Sequence, residues 1–195
     1  MARPREFDED DVLDAALSVF WSKGYEGTSV QDLVDATGLG RASLYGAFGD
    51  KQALFARTLA RYRDRTQVEE RMLEDEPSVR KGLELLFKGW LELTCSKNGP
   101  RGCFFLLAGT TCQVNDKETR AVISDRAQQV ERMIERAVRR GQASGELADD
   151  RDPTAMTRFL LVMLQGLATA ARGGWARSKL DEVVPDVLAQ IAARR

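Results

Sequence analysis

The chain has 195 residues, which allows one or two small domains with a sizeable hydrophobic core. Its 29 basic and 30 acidic side chains nearly cancel to a net charge of -1, so a DNA-binding face, if present, has to be a local patch. No histidine is present and Cys95, Cys103 and Cys112 lack CxxC spacing, which disfavours a metal site and a histidine base and favours a reducing, cytoplasmic setting.

The first predicted helix follows a short N-terminal arm. Asp8 is a suitable N-cap, and acidic residues follow it near the positive end of the helix dipole. Apolar residues then recur with helical spacing as far as Lys23, and Gly24 ends the helix. The apolar stripe predicts that this helix packs across the next two, with its buried face formed by Val12, Leu13, Ala16, Leu17 and Phe20.

Two short helices are predicted between Thr28 and Lys51. The first covers 29–37, with Thr28 as its N-cap, and Gly38 can adopt the left-handed conformation that ends it. The second covers Arg41 to Phe48 and turns an apolar face inward. Two helices joined by a glycine-bearing turn form a helix–turn–helix, whose second helix fits the DNA major groove.

The outward residues of this stretch suit contact with DNA. The hydroxyls of Thr28, Ser43 and Tyr45 can bond phosphate oxygens, and Lys51 adds a positive charge. Base reading is expected from the residues on the outer face of the second helix. These are Arg41, Ala42, Ser43 and Gly46.

The residue order TSVQDLVDATGLGRASLYGAFGDK resembles the DNA-binding domain of the tetracycline-repressor (TetR) family of bacterial regulators. The resemblance implies phosphate contacts at Thr28, Tyr45 and Lys51, together with a homodimer that binds a palindromic operator in double-stranded DNA. Gly40 and Gly46 depart from the residues common in the family, so the resemblance does not extend to which bases are read.

A long helix from Lys51 to about Arg71 is predicted to connect two domains. Residues 1–52 form the three-helix DNA-binding domain, and 72–195 form a helical domain for effector binding and dimerisation. In that second domain we expect a helix up to Cys95 and a buried helix from Gly102 to about Gln113. The predicted fold class is all-α, with about nine helices in total.

Three more helices complete the predicted second domain. One starts at Asn115 or Asp116 and is broken by Gly141 and Gly145. Another begins at Asp152–Pro153 and ends at Gly173–Gly174. The last contains Pro185, so it is either kinked or starts near Val184.

Apolar residues on several of these helices are expected to converge. The family resemblance implies a pocket among them for a small, largely apolar effector, with Trp90 and Gln165 as polar groups. A fully packed core is the alternative for each residue. The predicted ligand-binding residues are Phe87, Trp90, Cys103, Phe104, Leu107, Met133, Phe159, Met163 and Gln165.

Cys103 has two possible roles. It follows Gly102 at a predicted helix N-terminus, where the dipole lowers a thiol pKa and favours the thiolate. This supports an alternative function as a thiol-based redox or electrophile sensor on the same scaffold. The other interpretation is a buried cysteine that packs as a small apolar residue.

The last two helices carry apolar stripes broad enough for a two-fold interface between copies of the chain. The alternative is that both helices pack within one chain. The predicted interface consists of Leu164, Ala168, Ala171, Val187, Leu188 and Ile191.

We therefore expect a dimeric, sequence-specific transcriptional repressor that a small apolar effector releases from its operator. No apolar run reaches the ~20 residues of a membrane span. No nucleophile–base pair, phosphate loop or metal cluster is recognisable, so we expect neither an enzyme nor a cofactor.

Overall fold

The computed structural model describes residues 7–96, 102–111 and 117–193. Within these ranges the regular structure is helical, apart from one isolated bridge between Leu147 and Ala192, so the all-α prediction is confirmed. The N-terminal part contains α1 (Glu9–Gly27), α2 (Val30–Thr37), α3 (Arg41–Phe48) and α4 (Lys51–Asp75). The rest contains α5 (Val79–Thr94), α6 (Phe104–Thr111), α7 (Lys117–Ala143), α8 (Pro153–Arg172), α9 (Arg177–Asp181) and α10 (Val183–Ala189).

The first helices form the predicted helix–turn–helix unit. The apolar stripe of α1 is its buried face, and Leu17 and Phe20 lie in the centre of the core. Leu33 from α2 and Leu44 from α3 are fully buried in the same cluster. Helix α4 closes the unit through Leu54, so the two short helices are held by packing between longer ones.

The cap of α2 differs from the prediction. Ser29, not Thr28, is the N-cap: its hydroxyl accepts the Asp32 amide at 3.1 Å, and the Asp32 carboxylate accepts the Ser29 amide at 2.9 Å. This capping box satisfies two amides that one hydroxyl cannot. Thr28 is buried, and its hydroxyl donates to the Gly24 carbonyl at 2.6 Å. Gly24, with φ 74°, interrupts α1 where the sequence predicts a stop.

Two helices extend further than predicted. Helix α4 runs past Arg71 to Asp75, because Leu73 is fully buried against the C-terminal core. Helix α7 continues through Gly141 to Ala143, so the prediction of a break there is wrong. Gly141 instead gives room to Leu147, whose Cδ1 would lie 2.7 Å from an added Cβ. The chain turns at Gly145, where φ is 74°.

The predicted C-terminal helix forms in two pieces, α9 and α10, which meet at Glu182. Helix α10 begins at Val183, so Pro185 lies in its first turn, where a helix does not need the missing N–H. The prediction of a start near Val184 is therefore correct, and a kink is not needed.

The residues predicted to form the dimer interface lie inside the chain. All six are at most 5% exposed, because α8, α10 and the turn that follows α10 direct these side chains into the two hydrophobic cores. The intramolecular alternative applies to them, and an interface between copies has to use other faces. The residues corrected in this way are Leu164, Ala168, Ala171, Val187, Leu188 and Ile191.

Two hydrophobic cores divide the chain unequally. One core joins α5, α7, α8, α9 and α10. The other contains the N-terminal helices but also α6, whose Phe104 is fully buried against them. The rings of Trp21, Phe55 and Tyr62 lie 6.2, 5.6 and 5.7 Å from that of Phe104. Helix α6 therefore belongs to the second half in sequence but completes the core of the first.

Polar contacts fix this junction. The Trp21 indole donates to the Gly102 carbonyl at 3.0 Å, and Arg172 donates to the Trp21 and Ser22 carbonyls at 3.1 and 3.3 Å. Gly102 has a φ of 84°, and an added Cβ would lie 3.0 Å from the Arg172 Cβ. The ends of α1 and α8 and the start of α6 are thus held together at one point.

Glu146 forms a second cap that spans distant parts of the chain. Its carboxylate accepts the Ser78 hydroxyl at 2.6 Å and the amides of Val79 and Arg80 at 3.2 Å each. These amides begin α5, so the turn after α7 caps that helix. The hydrogen bonds, led by that from Ser78, lower the pKa of Glu146 below its usual value.

We expect Glu146→Gln to destabilise the protein at pH 7 by about 1 kcal/mol, as loss of a helix cap does. Because the folded-state pKa is lowered, the carboxylate stabilises the fold above the usual glutamate pKa of about 4.3, and this contribution is lost as the pH falls through the folded value. The difference in unfolding free energy between wild type and variant, from urea denaturation, should therefore shrink below pH 4.3. Asp149→Asn, an exposed carboxylate nearby, is the control, and a pH-independent difference would contradict the prediction.

Candidate nucleic-acid interface and effector cavity

Helix α3 is oriented by its two ends. Gly38, with φ 68°, ends α2 in the left-handed conformation, and α3 begins three residues after it. Leu44 and Phe48, four residues apart, anchor the inner face. Gly40 provides no side-chain cap for the first amides of α3. Those amides and the positive end of the helix dipole are therefore suited to a phosphate.

Most of the predicted DNA contacts lie on the opposite face of α3. Arg41, Ala42, Ser43 and Gly46 are exposed, whereas Tyr45 is half-buried at the edge. The Arg41 guanidinium lies 5.9 Å from the centre of the Tyr45 ring, so the cation and the phenol are neighbours. This face combines a bidentate donor, hydroxyls and small residues, which suits entry into a groove.

Lys51 and Thr28 flank this face differently. The Lys51 ammonium lies 4.4 Å from the centre of the Tyr25 ring, a cation–π distance that holds it at the start of α4. The Thr28 hydroxyl donates its proton to the Gly24 carbonyl, and the Thr28 amide donates to the Tyr25 carbonyl. A phosphate contact by the Thr28 hydroxyl therefore requires that internal hydrogen bond to break.

The acidic residues of α1 are paired with arginines of α4. Asp14 contacts Arg61 at 2.8 Å and Arg65 at 2.6 Å, and the hydrogen bond from Arg61 lowers the pKa of Asp14. Glu9 accepts a hydrogen bond from Arg57 at 2.8 Å. These pairs fix two carboxylates of α1 against α4.

A cavity of about 310 Å³ lies among α4 to α8. It is largely apolar, and it is in the size range of small-molecule sites. Three of the predicted ligand-binding residues line it, namely Trp90, Cys103 and Gln165.

The other six predicted residues lie outside the cavity lining. Phe104 packs against the N-terminal helices, and Phe87 is buried in the C-terminal core. Leu107 is buried in the N-terminal cluster, and Met133 lies in the C-terminal core. Phe159 and Met163, both half-buried, pack against that core from α8.

Several lining residues were not predicted. Tyr62 and Thr66 lie one turn apart on α4, in a stretch whose charged neighbours suggest a solvated surface. On α7, Ile123, Arg126 and Val130 share one face, so the helical spacing alone places a charged residue in an apolar stripe. The sequence therefore contains a signal that Arg126 faces the interior, namely its helical spacing from Ile123 and Val130.

The surroundings of Cys103 distinguish between the two roles considered for its thiol. It does lie at the start of α6, and the Leu106 amide approaches its sulfur at 3.5 Å. Burial nevertheless raises the pKa of Cys103, because removal from water opposes the thiolate more than the amides favour it. Burial therefore favours the second of the two roles considered for Cys103, a buried cysteine that packs as a small apolar residue, over a reactive thiolate. Cys112 lies outside the described residues.

The geometry of α2 and α3 and the exposed outer face of α3 define a helix–turn–helix DNA-binding protein. Family models agree: residues 12–58 match the bacterial regulatory proteins of the tetR family, and residues 80–185 match the tetracyclin repressor-like C-terminal domain. The chain belongs to the TetR family of transcriptional regulators.

Individual relatives cover nearly the whole chain. The HTH-type transcriptional repressor ComR of Escherichia coli K12 is 35% identical over 95% of this chain and 90% of its own length. Two cysteine mutants of the TetR-family regulator CifR, both complexed with a 26-bp operator, superpose with TM-scores of 0.86 and 0.88 at 35% and 34% identity. They cover 96% and 97% of this chain, and 98% and 100% of theirs.

We expect Gly46→Ala to raise the free energy of unfolding by about 0.5–1 kcal/mol, because alanine favours a helix and nothing lies within 4 Å of the added Cβ. Urea denaturation measures this directly. Gly38→Ala is the matched control: it also has open space, but its φ of 68° should make alanine destabilising. Equal effects of the two substitutions would contradict the assignment of Gly46 to an unstrained helix position.

Proposed function

We propose that this protein is a homodimeric transcriptional repressor that a small, largely apolar effector releases from its operator. The observation that carries the proposal is that α6 packs against the DNA-binding helices on one side and lines the cavity on the other. The names of the similar proteins support it: ComR is a repressor, and the CifR mutants were captured on operator DNA. Such a regulator works in the cytoplasm, where the chromosome lies.

On the DNA side, α3 enters the major groove. Arg41 is suited to pair with a guanine, and Ala42 to contact a thymine methyl. Ser43, Tyr45 and Lys51 then hold the backbone phosphates and set the register of the helix. Gly46 allows the duplex to come close, because it carries no side chain on the exposed face.

On the effector side, the cavity walls include residues of α4 and α6. Tyr62 and Cys103 line the cavity, while the ring of Tyr62 also lies 4.8 Å from that of Trp21 on α1. An effector that spreads these walls therefore displaces α1 and changes the separation of the two recognition helices in a dimer. A coupling of about 1–3 kcal/mol is enough to weaken operator binding 5- to 150-fold.

The dimer uses the outer face of α8. This helix is long and largely apolar, yet only 39% of its most apolar stretch is buried inside the chain. Val162 is 63% exposed, and Gly166 has nothing within 4 Å of an added Cβ. An apolar residue next to a small one lets two helices approach closely, so this face is suited to a two-fold partner.

We expect Tyr45→Phe to weaken operator binding at least tenfold, because the variant loses a hydrogen bond to a charged phosphate while it keeps the ring. Tyr45→Ala should abolish specific binding. Gel shifts with the DNA upstream of the gene measure both. Ser178→Ala, which removes an exposed hydroxyl from α9, is the matched control and should bind as wild type does. The DNA-binding assignment is lost if wild type shows no sequence-specific, salt-sensitive shift.

We expect Val162→Glu to convert the dimer to a folded monomer, because an unpaired charge in an apolar interface costs on the order of 3 kcal/mol. Analytical ultracentrifugation gives the mass, and circular dichroism checks the helices. Val122→Glu is the control, since Val122 is an exposed valine on α7. A dimer that persists in the Val162 variant would place the interface elsewhere.

A further inference from the structure

Two residues that line the cavity each carry a buried polar atom without a hydrogen-bond partner among the described residues. These atoms are the Tyr62 hydroxyl and the Trp90 Nε1, and neither finds an acceptor or donor among the described residues. Both side chains line the cavity, and the Tyr62 side chain is only 1% exposed. Buried polar groups without partners are rare in folded proteins, because each costs free energy, so such a pair points to a ligand that satisfies them.

Both atoms are available as donors. An indole N–H can only donate, and a phenol donates as long as it is protonated. Burial raises the pKa of Tyr62 well above its usual value, so the phenol keeps its proton at every physiological pH. The Cys103 thiol lies near and adds to that rise, while the Phe104 amide opposes it. Neither group reaches hydrogen-bond geometry with the Tyr62 hydroxyl, and a thiol is in any case a weak acceptor.

The charges around the cavity favour the same kind of ligand atom. Arg126 lines it, is 6% exposed, and donates to the Thr66 hydroxyl at 2.8 Å. Its positive charge acts on Tyr62 and Cys103 against the effect of burial. Glu131, the acidic residue in the lining, is partly exposed and lies 4.0 Å from Arg158. The donors and the buried cation together disfavour an amine and favour an oxygen that accepts hydrogen bonds.

The remaining wall limits the size and polarity of the ligand. Phe105, Leu106, Ile123, Val130 and Leu161 contribute apolar surface. The volume of about 310 Å³ is about twice the ~150 Å³ of a cavity that holds one benzene ring. A molecule with one or two rings, or an equivalent aliphatic body, therefore fits.

We infer that the effector is a small apolar carbonyl compound, a ketone or ester, whose oxygen accepts hydrogen bonds from the Tyr62 hydroxyl and the Trp90 indole. A carbonyl oxygen has two lone pairs, so a single oxygen is able to accept from two donors. That this ligand acts as an effector rests on the proposed function, whereas its binding depends on the cavity alone.

The test compares molecules that differ only in the acceptor. Benzophenone and diphenylmethane have the same two rings, joined by a carbonyl or a methylene, and acetophenone and ethylbenzene form the corresponding one-ring pair. Calorimetric titration of the full-length protein should show each ketone binding at least tenfold tighter than its hydrocarbon, because the hydrocarbon leaves the two donors unsatisfied. Burial of apolar area alone predicts the reverse order, since the hydrocarbons are the less soluble in water.

Substitutions identify the donors. Tyr62→Phe removes only the hydroxyl and should reduce the ketone-to-hydrocarbon ratio several-fold, while hydrocarbon binding is retained. Trp90→Phe should act in the same direction. Thr110→Val is the matched control: Thr110 lines the cavity, but its hydroxyl already donates to the Leu106 carbonyl at 2.8 Å, so the ratio should not change. If a variant fails to fold, the wild-type ratio still decides.

The inference would be overturned by no binding of either ketone, by equal affinity within each pair, or by a ratio that Tyr62→Phe leaves unchanged. Tighter binding of benzoate than of acetophenone would also overturn it, because a carboxylate would then be the preferred acceptor. Calorimetry contains no DNA, so these outcomes are independent of operator binding. Ketone binding without release from DNA in a gel shift would leave the carbonyl site in place and reject the proposed effector response.

Discussion

The N-terminal helices cannot complete their core without α6, and the rest of the structure depends on that constraint. Phe104 is fully buried among rings from α1 and α4, so α6 is a structural part of the DNA-binding unit. The same helix supplies Phe105 and Leu106 to the cavity wall. Because a packed interior is not freely deformable, any shift of α6 has to be passed on to the helices that it supports.

The polar contacts at Gly102 join α6 to both α1 and α8. The Gly102 carbonyl accepts a hydrogen bond from the Trp21 indole, and Gly102 lies against Arg172. The start of α6 is therefore fixed between α1 and α8. Helix α8 also carries the face proposed for the dimer. Motion of α6 relative to α8 is therefore motion of the DNA-binding unit relative to the proposed two-fold axis. In the proposed mechanism, that displacement changes the spacing of the two recognition helices on a palindrome.

How much could be predicted from the sequence depends on whether a feature is local. The turn at Gly38, the α3 face and the cap at Asp152 follow from nearest-neighbour rules, and the helices were predicted on that basis. The pairing of apolar helix faces could not be predicted, because an apolar stripe shows that a face is buried but not which element covers it. Leu164 and Ile191 were therefore predicted to lie in a dimer interface, although both are buried in the core of the chain. For the same reason, Tyr62 was not predicted to line the cavity.

Tyr62 combines these constraints in one side chain. Its ring packs at 4.8 Å from Trp21 and 5.7 Å from Phe104, within the core that orients the recognition helix. Tyr62 also lines the cavity, and no described residue bonds its hydroxyl. A ligand oxygen that accepts a hydrogen bond from this hydroxyl would thus contact directly the side chain whose ring packs against α1. The hydrogen bond that gives the cavity its specificity would then also be the contact through which the DNA-binding unit senses occupancy.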